Sequence, residues 1–217
     1  MDAIVFDWDG TLFDSLPAIY DANERVIREL GLPFDTDRYR AAYTPDWRVM
    51  YQRLGVPDHR LEEAGRRWVA LYREAAVSSL FPRVRESLER LVGAGYVLGL
   101  VTAGDRDIVT EQLVRGGLDH LITARVFGTD PIAAKPHPEP LLRVLTELQR
   151  LDRVASARYC GDVPDDMRMA RAVGAVGIGI KSTFASREEL VEAGATHVFP
   201  SVASFVDQLL GEAAHAA

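Results

Sequence analysis

Two aspartates stand two positions apart at the end of a short apolar run near the start of the chain. The apolar residues 3–6 lead into Asp7 and Asp9, and Gly10 and Thr11 follow them. Side chains of an extended segment alternate in direction, so the two carboxylates share one face. Carboxylates this close repel each other unless a cation or a shared proton intervenes. The spacing therefore indicates a nucleophile and an acid or base beside a metal ion.

Three later segments place polar side chains at the end of a predicted strand or in the loop after one. One ends in a hydroxyl, one carries a lysine and one carries three acids; in chain order they are Thr102, Lys135 and the group Asp162, Asp165 and Asp166. Lysine is scarce, since Lys135 and Lys181 are the only two in the chain. In open parallel sheets, ligands bind beyond the carboxyl ends of the strands. These side chains are therefore expected to meet the two aspartates in one site.

Alternating helices and apolar strands must position these residues. The predicted strands are residues 3–8, 96–102, 125–127, 158–161, 176–180 and 197–199, with helices between them and a last helix over 202–210. Such alternation predicts a parallel sheet with helices on both faces. The predicted fold class is α/β, with a Rossmann-like core and a frayed tail after residue 210.

Residues 15–81 differ from the rest because they contain no convincing strand. Ser15 is a candidate N-cap with Pro17 in the first helical turn, and further helices are predicted over 36–43, 47–54 and 59–79. We therefore expect two domains. The α/β core comprises residues 1–14 and 82–217, and a small helical domain of residues 15–81 is inserted after the first strand. An insertion there lies over the carboxyl ends of the strands, so it is expected to act as a cap.

The bulk composition argues against several classes of protein. With 47% hydrophobic and 26% charged residues, the chain of 217 residues is typical of soluble globular proteins. Its net charge of −7 argues against a nucleic acid partner held by phosphate contacts. The N-terminus does not resemble a signal peptide, and no apolar run approaches the roughly 20 residues that span a bilayer. The single cysteine, Cys160, allows no intrachain disulfide, which fits a reducing compartment. Together these features lead us to expect a cytoplasmic protein with no membrane partner.

The four segments, taken in order, resemble the motifs of the haloacid dehalogenase superfamily of hydrolases over essentially the whole chain. The sequences around them are similar to the phosphoglycolate-phosphatase-like branch; these are residues 14–17, 135–140 and 169–174. The resemblance implies a Mg²⁺ cofactor, a helical cap and a small phosphorylated metabolite as the substrate. One such motif alone is weak, whereas four in the family's order are specific.

Within this resemblance the two aspartates have different tasks. Asp7 attacks phosphorus and forms an aspartyl-phosphate, which divides hydrolysis into two easier steps. Asp9 protonates the departing oxygen and then accepts a proton from the water that hydrolyses the intermediate. Gly10 allows a tight turn beside the phosphate, and Thr11 is expected to hydrogen-bond locally. The family also implies that the backbone carbonyl of Asp9 is a metal ligand.

The expected metal shell consists of oxygen atoms, which suit Mg²⁺ beside a phosphate. Asp7 and Asp162 are the side chains expected to bind the ion directly. Asp166, four residues after Asp162, matches the family's second acid and would hold the metal shell. Asp165 is the alternative for that outer role.

The transferring phosphoryl group is expected to contact two further segments. Thr102 would hydrogen-bond it, and Lys135 would neutralise its oxygens together with the charge on Asp7. The small residues Ala103 and Gly104 fit the family pattern and let the backbone approach the phosphate.

The helical insert carries one candidate substrate ligand, Arg48, in the segment of residues 43–48. Its guanidinium can clamp a second anionic group such as a carboxylate. The alternative is that Trp47 packs inside the insert and Arg48 is a solvated helix residue.

The function predicted from these residues is a Mg²⁺-dependent phosphatase of small phosphate monoesters, with 2-phosphoglycolate as a candidate substrate. A pyrophosphatase and a sugar phosphomutase are alternatives, although Ile19 and Tyr20 occupy the region of the mutase's cap histidine. Asp9 disfavours a haloacid dehalogenase, which lacks the second aspartate. A phosphonate hydrolase needs a cap lysine, and residues 1–134 contain none. A non-catalytic regulator is disfavoured because every catalytic position is filled, and a monomer and a homodimer are both left open.

Overall fold

The structure is a computed structural model that describes residues 2–44, 46–74 and 79–215, with side chains up to residue 211. The chain divides into two compact units. The sheet unit consists of Met1–Phe13 and Leu80–Ala217, and the helical unit consists of Asp14–Ser79. Within the described residues, no helix is long and apolar enough to cross a membrane.

A six-stranded parallel sheet forms the centre of the sheet unit. Its strands are β1 (Ala3–Phe6), β4 (Val97–Val101), β5 (Ile122–Val126), β6 (Arg158–Gly161), β7 (Val176–Ile180) and β8 (Ala195–Phe199). They lie in the order β5-β4-β1-β6-β7-β8. The first strand along the chain is therefore central, and the α/β prediction is confirmed.

Helices cover both faces of this sheet. They are α5 (Val84–Gly93), α6 (Arg106–Gly116), α7 (Glu139–Glu147), α8 (Pro164–Val173), α9 (Arg187–Ala193) and α10 (Val202–His215), with a 3₁₀ helix at Leu151–Ser156. Side chains of β1 alternate between two apolar cores, since Ile4 and Phe6 lie in one and Val5 lies in the other. The first core is completed by α5, α6 and α10, and the second by α7, α8 and α9. A strand buried on both faces explains the continuous apolar run of β1.

The edge strands, the last helix and two inner strands differ from their predicted bounds. Strands β1 and β4 are shorter than predicted, because the segments 3–8 and 96–102 form only Ala3–Phe6 and Val97–Val101. Strand β5 begins at Ile122 rather than 125, and β8 begins at Ala195 rather than 197. Exposed Thr123 and Thr196 interrupt the apolar pattern there, because an edge strand has a solvent-facing side. The last helix continues to His215, although a frayed tail was expected after residue 210.

The helical unit contains four α-helices and one 3₁₀ helix among its described residues. They are α1 (Leu16–Glu29), α2 (Thr36–Ala42), α3 (Trp47–Arg53), the 3₁₀ helix Asp58–Arg60 and α4 (Leu61–Glu74). Helix α1 packs against α4, and α2 packs against α3. Asp35 and Asp46 cap α2 and α3 by accepting backbone N–H bonds from the first helical turn. Residues 75–78 of the helix predicted over 59–79 lie outside the described residues.

A short strand pair was not predicted. Strand β2 (Phe13–Asp14) pairs with β3 (Ser79–Leu80), and β3 lies in the segment 15–81, where no strand was expected. Two-residue strands carry no periodic pattern, so the sequence offers no signal for this pair.

Candidate functional site

The predicted site residues follow strands that are neighbours in the sheet. Asp7 follows β1, Thr102 follows β4 and Asp162 follows β6, and β1 lies between the other two strands. All three strands are parallel, so their carboxyl ends meet at one edge of the sheet. Lys135 comes from the connection between β5 and α7. The convergence expected from the sequence is therefore a consequence of strand order.

Trp8, between the two aspartates, is buried on the opposite side from Asp7. Its indole N–H donates to Gln112 Oε1 at 2.7 Å, and its ring stacks on Phe13 with centroids 5.1 Å apart. It belongs to the same apolar core as Phe6, as alternation along an extended segment requires. A fully buried and hydrogen-bonded ring fixes the backbone on either side of it, and therefore the positions from which the Asp7 and Asp9 side chains extend.

The turn after Trp8 is compact. The Trp8 carbonyl accepts the backbone N–H groups of Thr11, Leu12 and Phe13 at 2.9–3.3 Å. Gly10 has a φ of 77°, a conformation that favours glycine. The Thr11 hydroxyl donates to Asp162 Oδ1 at 3.4 Å, across 151 residues of sequence. The local hydrogen bond expected for this hydroxyl is therefore replaced by one that ties the turn to β6.

A buried lysine joins two of the acids. Lys135 Nζ donates to Asp7 Oδ1 and to Asp166 Oδ1, both at 2.8 Å. All three side chains are 8% exposed or less. The connection between Lys135 and Pro136 is a cis peptide bond. The ammonium group therefore neutralises part of the negative charge around Asp7, in a place that water hardly reaches.

Asp166 is the most completely hydrogen-bonded of the acids. Its Oδ1 accepts from Lys135 and from the Tyr159 hydroxyl at 3.2 Å, while its Oδ2 accepts the backbone N–H groups of Asp162 and Val163 at 3.1 and 3.2 Å. A Cβ on Gly161 would lie 2.2 Å from Asp166 Oδ2, so a glycine is needed there. The Asp166 carboxylate thus fixes the start of α8 and one side of the lysine.

Asp162 differs from Asp166 in having a buried oxygen without a partner. Its Oδ2 has no hydrogen-bond partner in the described part of the chain, although the residue is 1% exposed. A buried carboxylate oxygen is costly unless a donor or a cation compensates it. Oxygens of Asp7, Asp162 and Asp166 lie within 4.8 Å of one another. A hard divalent cation such as Mg²⁺ fits this set, and Asp162 Oδ2 is the atom most in need of it.

The titration behaviour of the cluster reflects burial. Burial raises the pKa of Asp7 to about 7, although the Lys135 ammonium opposes the shift. Burial also raises the pKa of Asp162 well above its usual value, and the negative charges of Asp7 and Asp166 add to this. Burial works to lower the pKa of Lys135, but the two carboxylates outweigh it and raise that pKa well above 10.5. A bound divalent cation would favour the charged carboxylates and bring their pKa values down.

Thr102 and Asp9 face the same small space beside Gly104. Thr102 Oγ1 accepts the Gly104 N–H at 2.9 Å and is buried. A Cβ placed on Gly104 would lie 3.1 Å from Thr102 Oγ1 and 3.4 Å from Asp9 Oδ2. The preceding residue, Ala103, is exposed. The second aspartate and the strand-end hydroxyl are therefore brought together on the β4 side of Asp7.

Asp165 and Asp166 lie in different surroundings. The Asp165 carboxylate pairs with Arg168 at 2.7 Å, and 24% of its side chain is exposed. Asp166, by contrast, is fully buried against Lys135. Of the two acids considered for the outer metal shell, Asp166 is the one that the fold directs into the cluster.

Arg48 lies in the helical unit and has partners there. Its guanidinium pairs with Glu62 and lies 4.4 Å above the centroid of the Trp47 ring. Its side chain is 52% exposed. Trp47 also packs edge-on against Tyr51, with centroids 5.8 Å apart. Pro45, within the segment from which Arg48 was selected, lies outside the described residues.

Two residues that support the site were missed from the sequence. Tyr159 contacts Asp166 through its hydroxyl, and Gln112 accepts the Trp8 indole N–H. The sequence predicts only that Tyr159 lies in a strand and Gln112 in a helix. The partner of Gln112 is 104 residues away in the chain, and the partner of Tyr159 lies in the helix after its strand. Local periodicity gives no signal for either contact.

Comparisons with known proteins place the chain in a family. The profile of a family described as haloacid dehalogenase-like hydrolase matches residues 4–180. The phosphoglycolate phosphatase of Haemophilus influenzae strain 86-028NP is 28% identical over 216 residues, which cover 94% of this chain and 96% of that protein. The phosphoglycolate phosphatase of Synechococcus elongatus is 30% identical over 199 residues, covering 89% and 90%.

Solved structures share the fold. A hydrolase from Pseudomonas syringae superposes with a TM-score of 0.86 at 24% identity, covering 96% of this chain and 98% of that one. At this identity the likeness speaks for the fold alone.

Proposed function

The chain belongs to the haloacid dehalogenase-like hydrolases, and we propose that within this family it is a Mg²⁺-dependent phosphatase of small phosphate monoesters. The observation that carries the proposal is the buried cluster around Asp7. One oxygen of this carboxylate is held by Lys135 at 2.8 Å, and a neighbouring oxygen of Asp162 is left without a donor. Phosphoryl transfer by this family needs a carboxylate nucleophile, a positive group beside it and oxygen atoms that can bind a metal ion. Asp7, the Lys135 ammonium and Asp162 Oδ2 can supply these.

In the first chemical step, the Asp7 carboxylate attacks phosphorus. The bond from phosphorus to the leaving oxygen breaks, and an aspartyl-phosphate forms. Lys135 stabilises the negative charge that develops on the phosphoryl oxygens, because its ammonium is already in place and poorly solvated. Asp166 keeps the lysine there through its 2.8 Å bond.

Proton transfer is the task proposed for Asp9. It lies near Thr102 and Gly104, two residues after the nucleophile. It protonates the departing oxygen in the first step and takes a proton from the attacking water in the second. Since Thr102 Oγ1 already accepts the Gly104 N–H, its own hydrogen can be donated to a phosphoryl oxygen.

The proposed metal ligands are the carboxylates of Asp7 and Asp162 and the backbone carbonyl of Asp9. Mg²⁺ held there would neutralise charge on the phosphoryl group and favour the ionised form of the nucleophile. Asp166, whose four hydrogen bonds are described above, supports this shell by holding Lys135 and the start of α8.

We also propose that the helical unit is a cap that selects the leaving group, with 2-phosphoglycolate as the candidate substrate. The curated relatives named phosphoglycolate phosphatase support this choice. Arg48 is the candidate ligand for the substrate carboxylate, because its guanidinium is more than half exposed on the Trp47 ring. Glu62 competes for the same guanidinium.

A panel of phosphate esters, assayed with Mg²⁺ and with a chelator, tests the proposal. We expect turnover of small monoesters that requires the metal, with 2-phosphoglycolate preferred over an ester without a carboxylate. Pyrophosphate belongs in the panel as the substrate of the rival pyrophosphatase. Release of halide from 2-haloacids without Mg²⁺, or no turnover of any ester, would contradict the proposal.

A further inference from the structure

The Tyr159 side chain connects two strands that are not neighbours. Tyr159 lies on β6, and its hydroxyl lies 3.0 Å from the carbonyl oxygen of Val101 on β4. Strand β1 separates β6 from β4, so the side chain spans the width of the strand that carries the nucleophile. The residue is fully buried in the same apolar core as Val5 and Val101.

The same hydroxyl also reaches the cluster of acids. It lies 3.2 Å from Asp166 Oδ1, the oxygen that accepts from Lys135 Nζ at 2.8 Å. Its single hydrogen is shared between this carboxylate and the Val101 carbonyl. A buried hydroxyl with two acceptors at these distances is held from both sides, so it fixes the position of Asp166 Oδ1 relative to β4.

We propose that Tyr159 is a positioning residue for the reaction, acting through Asp166 on Lys135. This inference rests on the proposed function for its kinetic consequence. The two backbone amides on Asp166 Oδ2 hold one end of the carboxylate, and the Tyr159 hydroxyl and the lysine hold the other. Without the hydroxyl, Oδ1 keeps only the lysine as a donor, so the whole carboxylate moves more freely and the ammonium follows it away from Asp7.

The link also couples the ends of two strands. Val101 immediately precedes Thr102, the hydroxyl proposed to contact the phosphoryl group. Tyr159 therefore ties the backbone beside Thr102 to the side chain that holds Lys135. Phenylalanine at this position would fill the same apolar space, and only the link would be lost.

The substitution Tyr159→Phe is the first test. We expect kcat to fall by about 10- to 100-fold, as for other residues that orient a reacting group, while KM changes by no more than about twofold. The matched control is Tyr51→Phe in α3, since the buried Tyr51 hydroxyl has no hydrogen-bond partner among residues 2–44, 46–74 and 79–215. That control should leave kcat unchanged. An unchanged kcat in Tyr159→Phe would overturn the inference.

A double-mutant cycle separates positioning from general packing. Unfolding free energies are measured in urea for Tyr159→Phe, Asp166→Asn and the double variant. We expect the effects to be non-additive, because both substitutions break the same contact. Additive effects would show that the hydroxyl does not act through Asp166 and would overturn the inference.

Hydrogen exchange gives a second measure that does not need the Asp166 variant. The amides of Asp162 and Val163 donate to Asp166 Oδ2, so they should exchange faster in Tyr159→Phe than in the wild type or Tyr51→Phe. Equal protection in all three proteins would count against the link. Neither the double-mutant cycle nor hydrogen exchange depends on turnover. A wild-type protein inactive on the ester panel would therefore refute the proposed function, and these two measurements would still decide whether the Tyr159–Asp166 link exists.

Discussion

An ion pair in the sheet unit and one in the helical unit have the same separation, but the pKa values of their carboxylates are shifted in opposite directions. Lys135 Nζ lies 2.8 Å from Asp7 Oδ1, and Arg67 lies 2.8 Å from both Glu29 oxygens. The pKa of Glu29 is lowered by its hydrogen bonds with Arg67, as expected for a paired carboxylate. The pKa of Asp7 is nevertheless raised to about 7, because burial outweighs the lysine.

The difference comes from water. Both partners of the Arg67–Glu29 pair are more than 40% exposed, whereas those of the Lys135–Asp7 pair are 8% exposed or less. Solvent screens the exposed pair and hydrates each charge, so forming this pair contributes little to the free energy of unfolding. The buried pair has lost that hydration, and Lys135 alone does not bring the pKa of Asp7 back to its ordinary value. This electrostatic cost falls on the carboxylate proposed as the nucleophile.

The largest expected effect is on turnover. Asp7→Asn should lower kcat by more than about a thousandfold, because the amide cannot form the covalent intermediate. Circular dichroism and urea unfolding should show a folded protein, since asparagine has nearly the same shape. The matched control is Glu29→Gln, which neutralises the exposed pair and should leave kcat unchanged. Metal-dependent turnover retained in Asp7→Asn would refute the nucleophile assignment.

The second effect is on stability. Lys135→Met should destabilise the metal-free protein by about 3–5 kcal/mol, because it leaves Asp7 and Asp166 buried without their cation. Arg67→Met is its surface counterpart and should change the free energy of unfolding far less, because Glu29 stays hydrated. Urea unfolding at pH 8 measures both. Equal destabilisation by the two substitutions would show that burial is not what distinguishes the pairs.

The third effect is the pH dependence of stability, which should have opposite signs for the two carboxylates. The pKa of Asp7 is raised from 3.8 to about 7, so the folded state binds more protons than the unfolded state between these values. Asp7 should therefore cost the metal-free protein stability on the order of a few kcal/mol as pH rises from about 4 to 7. Glu29, with a lowered pKa, contributes stability above its unfolded value of 4.5 and loses it as pH falls.

Urea unfolding in a chelator between pH 4 and 8 measures this slope. In Asp7→Asn the decline between pH 4 and 7 should become shallower, and in Glu29→Gln it should persist. Saturating Mg²⁺ should also flatten it, because the ion favours the charged carboxylate. A slope that is the same in wild type and Asp7→Asn would show that Asp7 is not the titrating group.

The sequence predicts all six strands of the sheet, but it gives both ends correctly for only two of them. Strands β6 and β7 have the predicted bounds, and all of their residues except the first are buried. The edge strands β5 and β8 begin earlier than expected, because exposed side chains such as Thr123 break the run. Local hydrophobicity reports burial on both faces and says little about an edge.

The candidate site shows the same division. The strand-end positions of Asp7, Thr102 and Asp162 follow from the chain order of polar residues after apolar runs. What the sequence does not contain is the partner of each side chain. Asp165 and Asp166 are equivalent as residue types, and only the packing of α8 sends one to Arg168 and the other to Lys135.

The smallest expected effect concerns the metal, and it separates Asp162 from Asp165. Mg²⁺ at 100 times its Kd should stabilise the wild type by about 2.7 kcal/mol through binding to the folded state alone. Asp162→Asn should abolish most of this gain, because it removes the charge of the carboxylate whose Oδ2 has no partner in the described residues. Asp165→Asn is the matched control and should keep the gain, since Asp165 pairs with Arg168. Thermal unfolding and titration calorimetry with Mg²⁺ measure both, and an undiminished response in Asp162→Asn would remove Asp162 from the metal site.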